Sequence, residues 1–215
     1  MNTGEVKSIV NSKPMNKKQL QSEHTKKKIA EAARSLFVQK GYKATSIEDI
    51  VDATGSSKGN IYYHFKSKEG LFLHLLDEWD QEWDRKWEEK EALFPTIVDK
   101  LYGIAEQMVL DDLNHPLTKA ANEFFNSNEE LTNDVQERIT EFVQRHLTFY
   151  QNILQQGIDS GELKQTNVQG LSMILEALSI GLSQMSRSAS QQQALELYQL
   201  AMKVILNGIA KDPST

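Results

Sequence analysis

The sequence predicts an all-α chain, with a small N-terminal three-helix unit of helix-turn-helix type followed by a larger C-terminal helical unit. Three observations carry this. Apolar residues recur at three- and four-residue spacing through most of the 215 residues. Two helix signals stand back to back around Gly55. Charge also divides the chain: residues 1–75 hold 13 Lys and Arg against 7 Asp and Glu, whereas residues 76–215 hold 11 against 23.

Residues 1–22 mix Lys, Asn, Ser and Gln with little apolar content, so they are expected to form a disordered basic arm. Lys13, Lys17 and Lys18, with Lys26 to Lys28 beyond them, would reach phosphates or a minor groove. A solvated tail with no specific role fits the same residues. The first helix is expected from Glu23 to Lys40, with Ile29, Ala32, Ala33, Leu36 and Phe37 as its stripe and Gly41 closing it.

Thr45 is the expected N-cap of the second helix, with Glu48 completing a capping box. Ile47, Ile50 and Val51 make its apolar face, and Gly55 permits the left-handed residue that ends it. Ser56 or Ser57 caps the third helix at once, over about Ser57 to Phe65. A gap this short fits a helix-turn-helix, whose second helix enters the DNA major groove by its N-terminal residues. Phe37, Ile47, Ile50, Ile61 and Phe65 are expected to form the small core. That leaves Ser57, Lys58, Gly59, Asn60, Tyr62, Tyr63 and His64 exposed as candidate DNA contacts. Gly59 inside a helix costs about 1 kcal/mol against Ala, which suits close approach of backbone to a phosphate or base. A solvated helix whose tyrosines finish the core is the plainer reading of this helix by itself. The cap, turn and cap around it favour DNA.

Residues 25–72 resemble the DNA-binding domain of the TetR family of bacterial transcriptional regulators. The resemblance is carried by IAEAARSLFVQKGY (29–42), ATSIEDIVDATG (44–55) and SKGNIYYHFKSKEGL (57–71). Ser56 departs from the family, which usually has an apolar residue there. Asn60 stands where the family often has Thr or Ala, which implies a changed base preference. The resemblance implies a dimer that binds operator DNA; Lys68, in the first turn of the fourth helix where the N–H groups and the dipole favour a phosphate, and Thr45 are expected to hold the backbone. It covers about the first third of the chain, expected as a domain over 23–70.

Ser67 is the expected cap of the fourth helix, which continues through Trp79, Trp83 and Trp87 to about Lys90 and links the domain to a regulatory and dimerisation domain over 71–211. The tryptophans recur every four residues on one face. They form either the aromatic wall of a ligand pocket or packing between domains. Further helices are expected over about 96–111, from Pro116, over 129–157, over 167–186 and over 190–210. Gly157 and Gly161 are taken as stop signals between the third and fourth of these.

The last two helices carry apolar residues on more than one face, which calls for a partner helix. A homodimer through Leu171, Leu175, Leu178, Leu182, Tyr198, Met202 and Ile205 is expected, making a four-helix interface. The alternative is that both faces are consumed within one chain. An apolar pocket for a lipophilic small molecule is expected among Trp83, Trp87, Tyr102, Met108, Phe125, Phe142, His146, Tyr150 and Met173.

Net charge is −6, yet the basic head on an acidic body lets the head neutralise a polyanion while the body is repelled from it. Cys is absent, which excludes disulfides and thiolate metal sites. Apolar runs are too short to span a bilayer, and the Lys-rich start lacks a signal-peptide core, so a cytoplasmic protein without membrane partners is expected. The histidines His24, His64, His74, His115 and His146 show no metal-ligand spacing, and no nucleophile elbow, Walker loop or dinucleotide fingerprint occurs. No catalytic residue, metal or cofactor is therefore expected. An enzyme carrying a vestigial helix-turn-helix, and a DNA-binding dimer without an inducer, are the alternatives to a ligand-responsive repressor.

Overall fold

The computed structural model describes residues 16–127 and 130–209. Among them the chain is helical without strands: α1 (Lys17–Lys40), α2 (Ile47–Thr54), α3 (Lys58–Phe65), α4 (Lys68–Glu91), α5 (Ile97–Gln107), α6 (Thr118–Phe125), α7 (Asn133–Asp159), α8 (Val168–Met185) and α9 (Gln191–Ile209). A π-helical turn over Met108–Asp112 extends α5.

The first helix starts earlier than its polarity suggests. Asn16 caps α1 in a capping box with Gln19, so Lys17 to Ser22 are helical rather than part of a disordered arm. Lys, Gln, Leu and Glu are good helix formers, and no Gly or Pro interrupts them. The rest of the expected arm, with Lys13, lies outside the described residues.

The cap of α2 is shifted by one residue. Ser46, not Thr45, accepts from the Asp49 N–H at 3.1 Å, and the Asp49 carboxylate returns to the Ser46 N–H at 2.8 Å. Thr45 is only 1% exposed, and its hydroxyl donates to the Gly41 carbonyl at 2.7 Å. That bond turns it away from the α2 amides, so Glu48 closes no box with it.

Gly55 takes the left-handed conformation at the end of α2 (φ +65°), and Ser57 caps α3 by accepting from the Asn60 N–H at 3.2 Å. The next corner is tighter. Lys66 stands at φ +70°, Ser67 accepts from the Gly70 N–H at 3.0 Å, and Gly70 lies against the end of α3.

The head's core holds Ile29, Phe37, Ile47, Ile50, Ile61 and Phe65 together with Leu71, Phe72, Leu73, Leu75 and Leu76 of α4. It extends into the body, because Leu117, Ala120, Phe124 and Val135 pack in the same cluster. Tyr42, Phe72 and Phe124 meet edge to face or tilted, with ring centroids 5.0–5.2 Å apart. Glu123 of α6 also accepts from the Lys43 N–H at 3.1 Å. The head is thus seated on α6 and the start of α7 as well as on α4.

A second core gathers Trp87, α5, the far half of α7, α8 and α9. Within it Gly157 is not a stop signal. It lies inside α7, and a Cβ there would come within 2.6 Å of Leu163 and 2.9 Å of Ile97. The helix ends at Asp159, and Gly161 (φ +80°) makes the turn. The start of α7 at Asn133 and the α-helical end of α5 at Gln107 also shorten the expected spans.

Candidate DNA interface and effector region

α3 buries Ile61 and Phe65 against the head's core and turns Lys58, Gly59, Asn60, Tyr62 and Tyr63 outward. Tyr63 is 70% exposed, an unusual state for a ring that the core could have taken. A Cβ at Gly59 would meet only Ser57 Oγ, at 3.6 Å, so internal packing does not demand glycine there. His64 is half-buried at the edge of this face. Burial lowers its pKa, with Glu23 opposing and Lys26 reinforcing the shift.

Of the two residues expected to hold the DNA backbone, Thr45 has its hydroxyl committed inside the head, as described above. Its neighbour Ser46 is the exposed hydroxyl at that corner. Lys68 lies half-buried in the first turn of α4, its ammonium 4.2 Å from the centroid of the Tyr42 ring. Two pairings across the head had no local sequence signal. Lys28 donates to the Thr54 carbonyl at 2.7 Å, closing the end of α2, and Lys58 pairs with Glu48 of α2.

The residues expected to line a ligand pocket do not surround one cavity. Trp87 and Tyr150 are core, and Trp83, Tyr102 and Met108 pack against that core. Phe142 packs instead on the head's core, beside the exposed Phe125 at the end of α6. Met173 is 61% exposed on the outward side of α8, because α8 turns Leu171 and Leu175 inward. A cleft of about 720 Å³ between α5 and α9 is lined by Phe94, Tyr102, Glu106, Glu196, Leu200 and Lys203 among others. Tyr102 is the sole member of the expected set on it.

The tryptophan row runs beside buried polar groups. Trp83 stacks on Trp87 with ring centroids 6.1 Å apart, and Phe149 stands edge-on to both. The Trp83 Nε1 and the Gln107 Oε1 are buried without hydrogen-bond partners. Trp79 stacks on His115 at 3.8 Å and donates its indole N–H to Asp112 at 2.9 Å. Burial raises the Asp112 pKa to about 7 despite that hydrogen bond, and burial lowers that of His115 to about 4.

His146 is an ion-pair hub, bonded to Glu176 and Asp80 rather than lining an apolar wall. Burial alone would lower its pKa, but the hydrogen bonds and charges of Asp80 and Glu176 outweigh it and raise the value to about 10. Arg138 and Arg145 of α7 both bond Asp77 of α4 close by.

Four of the expected dimer residues, Leu171, Leu175, Tyr198 and Met202, are buried in the chain's own core, and Leu178, Leu182 and Ile205 are half-buried. The exposed apolar residues of these helices are instead Met173, Ile174, Ile180 and Met185 of α8 and Leu197, Leu200 and Val204 of α9. Gly181 of α8 and Gly208 of α9 each have open space where a Cβ would stand.

A head of this geometry on an all-helical body defines a helix-turn-helix regulator. Residues 29–75 match the family described as "Bacterial regulatory proteins, tetR family", and residues 79–211 match "QacR-like protein, C-terminal region". The chain belongs to the TetR family, whose members are transcriptional regulators that bind DNA and act as dimers. It is 30% identical over 186 residues to the HTH-type transcriptional regulator QacR of Staphylococcus aureus, covering 86% of this chain and 98% of that one. It is 30% identical to the uncharacterized HTH-type transcriptional regulator YfiR of Bacillus subtilis, over 63% of this chain and 66% of that one. The fold is shared with NalD, the secondary repressor of the MexAB-OprM multidrug efflux pump in Pseudomonas aeruginosa. That likeness has a TM-score of 0.66 at 24% identity, over 90% of this chain and 99% of NalD. Among the described residues no helix is long and apolar enough to cross a membrane.

Proposed function

We propose that this protein is a dimeric transcriptional repressor that a lipophilic small molecule releases from a palindromic operator. The observation that carries the DNA reading is the outward face of α3, which leaves Lys58, Gly59, Asn60, Tyr62 and Tyr63 exposed on a helix whose buried residues are Ile61 and Phe65. Lys68, and Ser46 in place of Thr45, would hold phosphates beside it. The exposed stripe of α8 and α9 supports pairing of two copies through four helices. Two heads would then meet successive major grooves, with half-sites one helical turn or a multiple apart.

The effector reading rests on the region between α4, α5 and α7. Stacked aromatic faces there enclose an unpaired indole donor and an unpaired amide acceptor, Trp83 Nε1 and Gln107 Oε1. Buried polar groups in folded proteins are nearly always bonded, so unpaired ones beside an aromatic surface favour a ligand that opens this region. Because α4 bears both the tryptophans and the head's core residues, such a ligand would favour one spacing of the heads. Differential affinity of that kind is what shifts the equilibrium.

The test is a gel shift on the gene's own upstream region, with and without a panel of lipophilic compounds. A retarded band that a compound abolishes supports both halves. A band that no compound moves favours the alternative, a DNA-binding dimer controlled by concentration or a protein partner. No band on any fragment recovered by site selection sinks the DNA reading.

A further inference from the structure

Glu48 and Lys58 stand on different helices of the helix-turn-helix. Glu48 is in the first turn of α2, and Lys58 is the first residue of α3. Their side chains form an ion pair between Lys58 Nζ and Glu48 Oε1, with both residues exposed. The cap of α2 does not use Glu48. Ser46 is the N-cap, and Asp49 closes the box while also taking Lys40 at 2.7 Å. Glu48 is therefore spare in its own helix and reaches across the turn to α3. Lys58, in turn, occupies the positive end of the α3 dipole, where a cation is disfavoured. That same end is where a recognition helix meets base edges.

We propose that Glu48 is a positioning residue for sequence discrimination, fixing the direction of the Lys58 ammonium so that it meets a base edge and not the nearest phosphate. This rests on the assignment of α3 as the recognition helix. An unpaired lysine is a mobile point charge on a flexible stem. On DNA of any sequence such a charge takes a phosphate, and phosphate contacts supply nearly all of non-specific binding. Paired with Glu48, Lys58 adds no net charge to the surface. Its ammonium has three donors, so one stays on the carboxylate while another reaches an acceptor such as guanine O6 or N7. Removing the carboxylate therefore acts differently on the two kinds of DNA. Non-operator DNA gains a phosphate contact, and operator DNA loses an aimed donor.

The experiment uses the full chain with Glu48→Gln, Lys58→Gln and both together. Binding is titrated by fluorescence anisotropy against a duplex chosen by site selection on the wild type and against a scrambled duplex, over a series of salt concentrations. Glu48→Gln is expected to bind scrambled DNA several-fold more tightly, with a log K against log salt slope steeper by about 0.9. Operator affinity stays level or falls, so the specificity ratio drops. In the Lys58→Gln background the same substitution changes neither. An equal gain on both duplexes, an unchanged ratio, or an effect that survives without Lys58 overturns the proposal, since plain repulsion between carboxylate and phosphates needs no lysine. A wild type that selects no sequence at all refutes the recognition-helix assignment instead.

Discussion

The Nδ1 of His146 lies 3.0 Å from Oε1 of Glu176, so α7 and α8 are joined through one imidazole. The other ring nitrogen lies 3.3 Å from Asp80 Oδ2, which brings in α4, the helix that carries the head. Arg145 also reaches Asp80 and Asp77, and Asp84 lies close enough to feel the His146 charge. Three helices of the body thus meet on a protonated histidine with carboxylates on both sides.

The pH dependence follows from that geometry. The His146 pKa is raised from 6.5 to about 10, so the folded state holds a proton that the unfolded state has released. Its contribution to stability is complete below pH 6.5, declines as pH rises above it, and is lost once pH passes 10. The difference in unfolding free energy between wild type and His146→Gln should therefore shrink steadily from pH 6.5 upward. Urea titrations at several pH values measure it. An imidazole that titrates near its ordinary value by NMR would contradict the ion-paired hub.

Asp112 works in the opposite sense to most carboxylates. Burial raises its pKa from 3.8 to about 7, while the Trp79 N–H partly offsets the shift. The folded state binds the extra proton, so this residue favours folding at low pH and opposes it as pH rises through 7. Asparagine keeps an acceptor for the Trp79 indole without the charge. Asp112→Asn is expected to stabilise the protein by about 4 kcal/mol at pH 8 and by less than about 1 kcal/mol at pH 4. Equal effects at both values would mean that Asp112 stays ionised in the fold.

What the sequence revealed here was local, and what it hid was long-range. Gly55, Ser57 and Ser67 mark helix ends by their own backbone and side-chain chemistry, so the outline of α2, α3 and α4 could be read from them. Ile61 and Phe65 fall on one face of a short helix and had one place to go. By contrast, α8 and α9 are apolar on two faces, and periodicity does not say which faces inward. Leu171 and Tyr198 were accordingly expected on the partner but lie in the core. Glycine was ambiguous for a related reason, since Gly157 serves close packing against Leu163 and not a turn. Nothing in sequence spacing connects Glu123 with Lys43, or Glu48 with Lys58.

Thr45 and Ser46 separate two roles that neighbouring hydroxyls could share. Thr45 donates to Gly41 inside the head, and Ser46 caps α2 at the surface. Thr45→Val should lower stability by about 1 kcal/mol through a lost buried hydrogen bond, without changing the affinity for DNA. Ser46→Ala should cost about 1 kcal/mol through the lost cap, and should also weaken binding to every duplex if its hydroxyl meets a phosphate. Thermal melts and binding titrations on both variants decide the matter. A uniformly weakened affinity in Thr45→Val would return the backbone contact to Thr45.

Gly70 tests how the head is fixed to the lever. It is buried in the first turn of α4, and a Cβ there would fall 2.0 Å from the Phe65 carbonyl oxygen, with its Gly70 carbonyl already bonded by Arg138 at 3.1 Å. The obstacle is backbone, so no side chain can rotate away. Ala at this position has to push the end of α3 off the start of α4, where Phe65, Leu71 and Phe72 share one core. Gly70→Ala is expected to destabilise the protein by about 2–3 kcal/mol, the range of strain and overpacking in a core. It should also weaken operator binding more than the melt alone explains, because α3 is displaced relative to α4. Measuring affinity well below the melting temperature separates the two effects. Normal affinity in a destabilised variant would show that α3 keeps its place while the strain is taken up elsewhere.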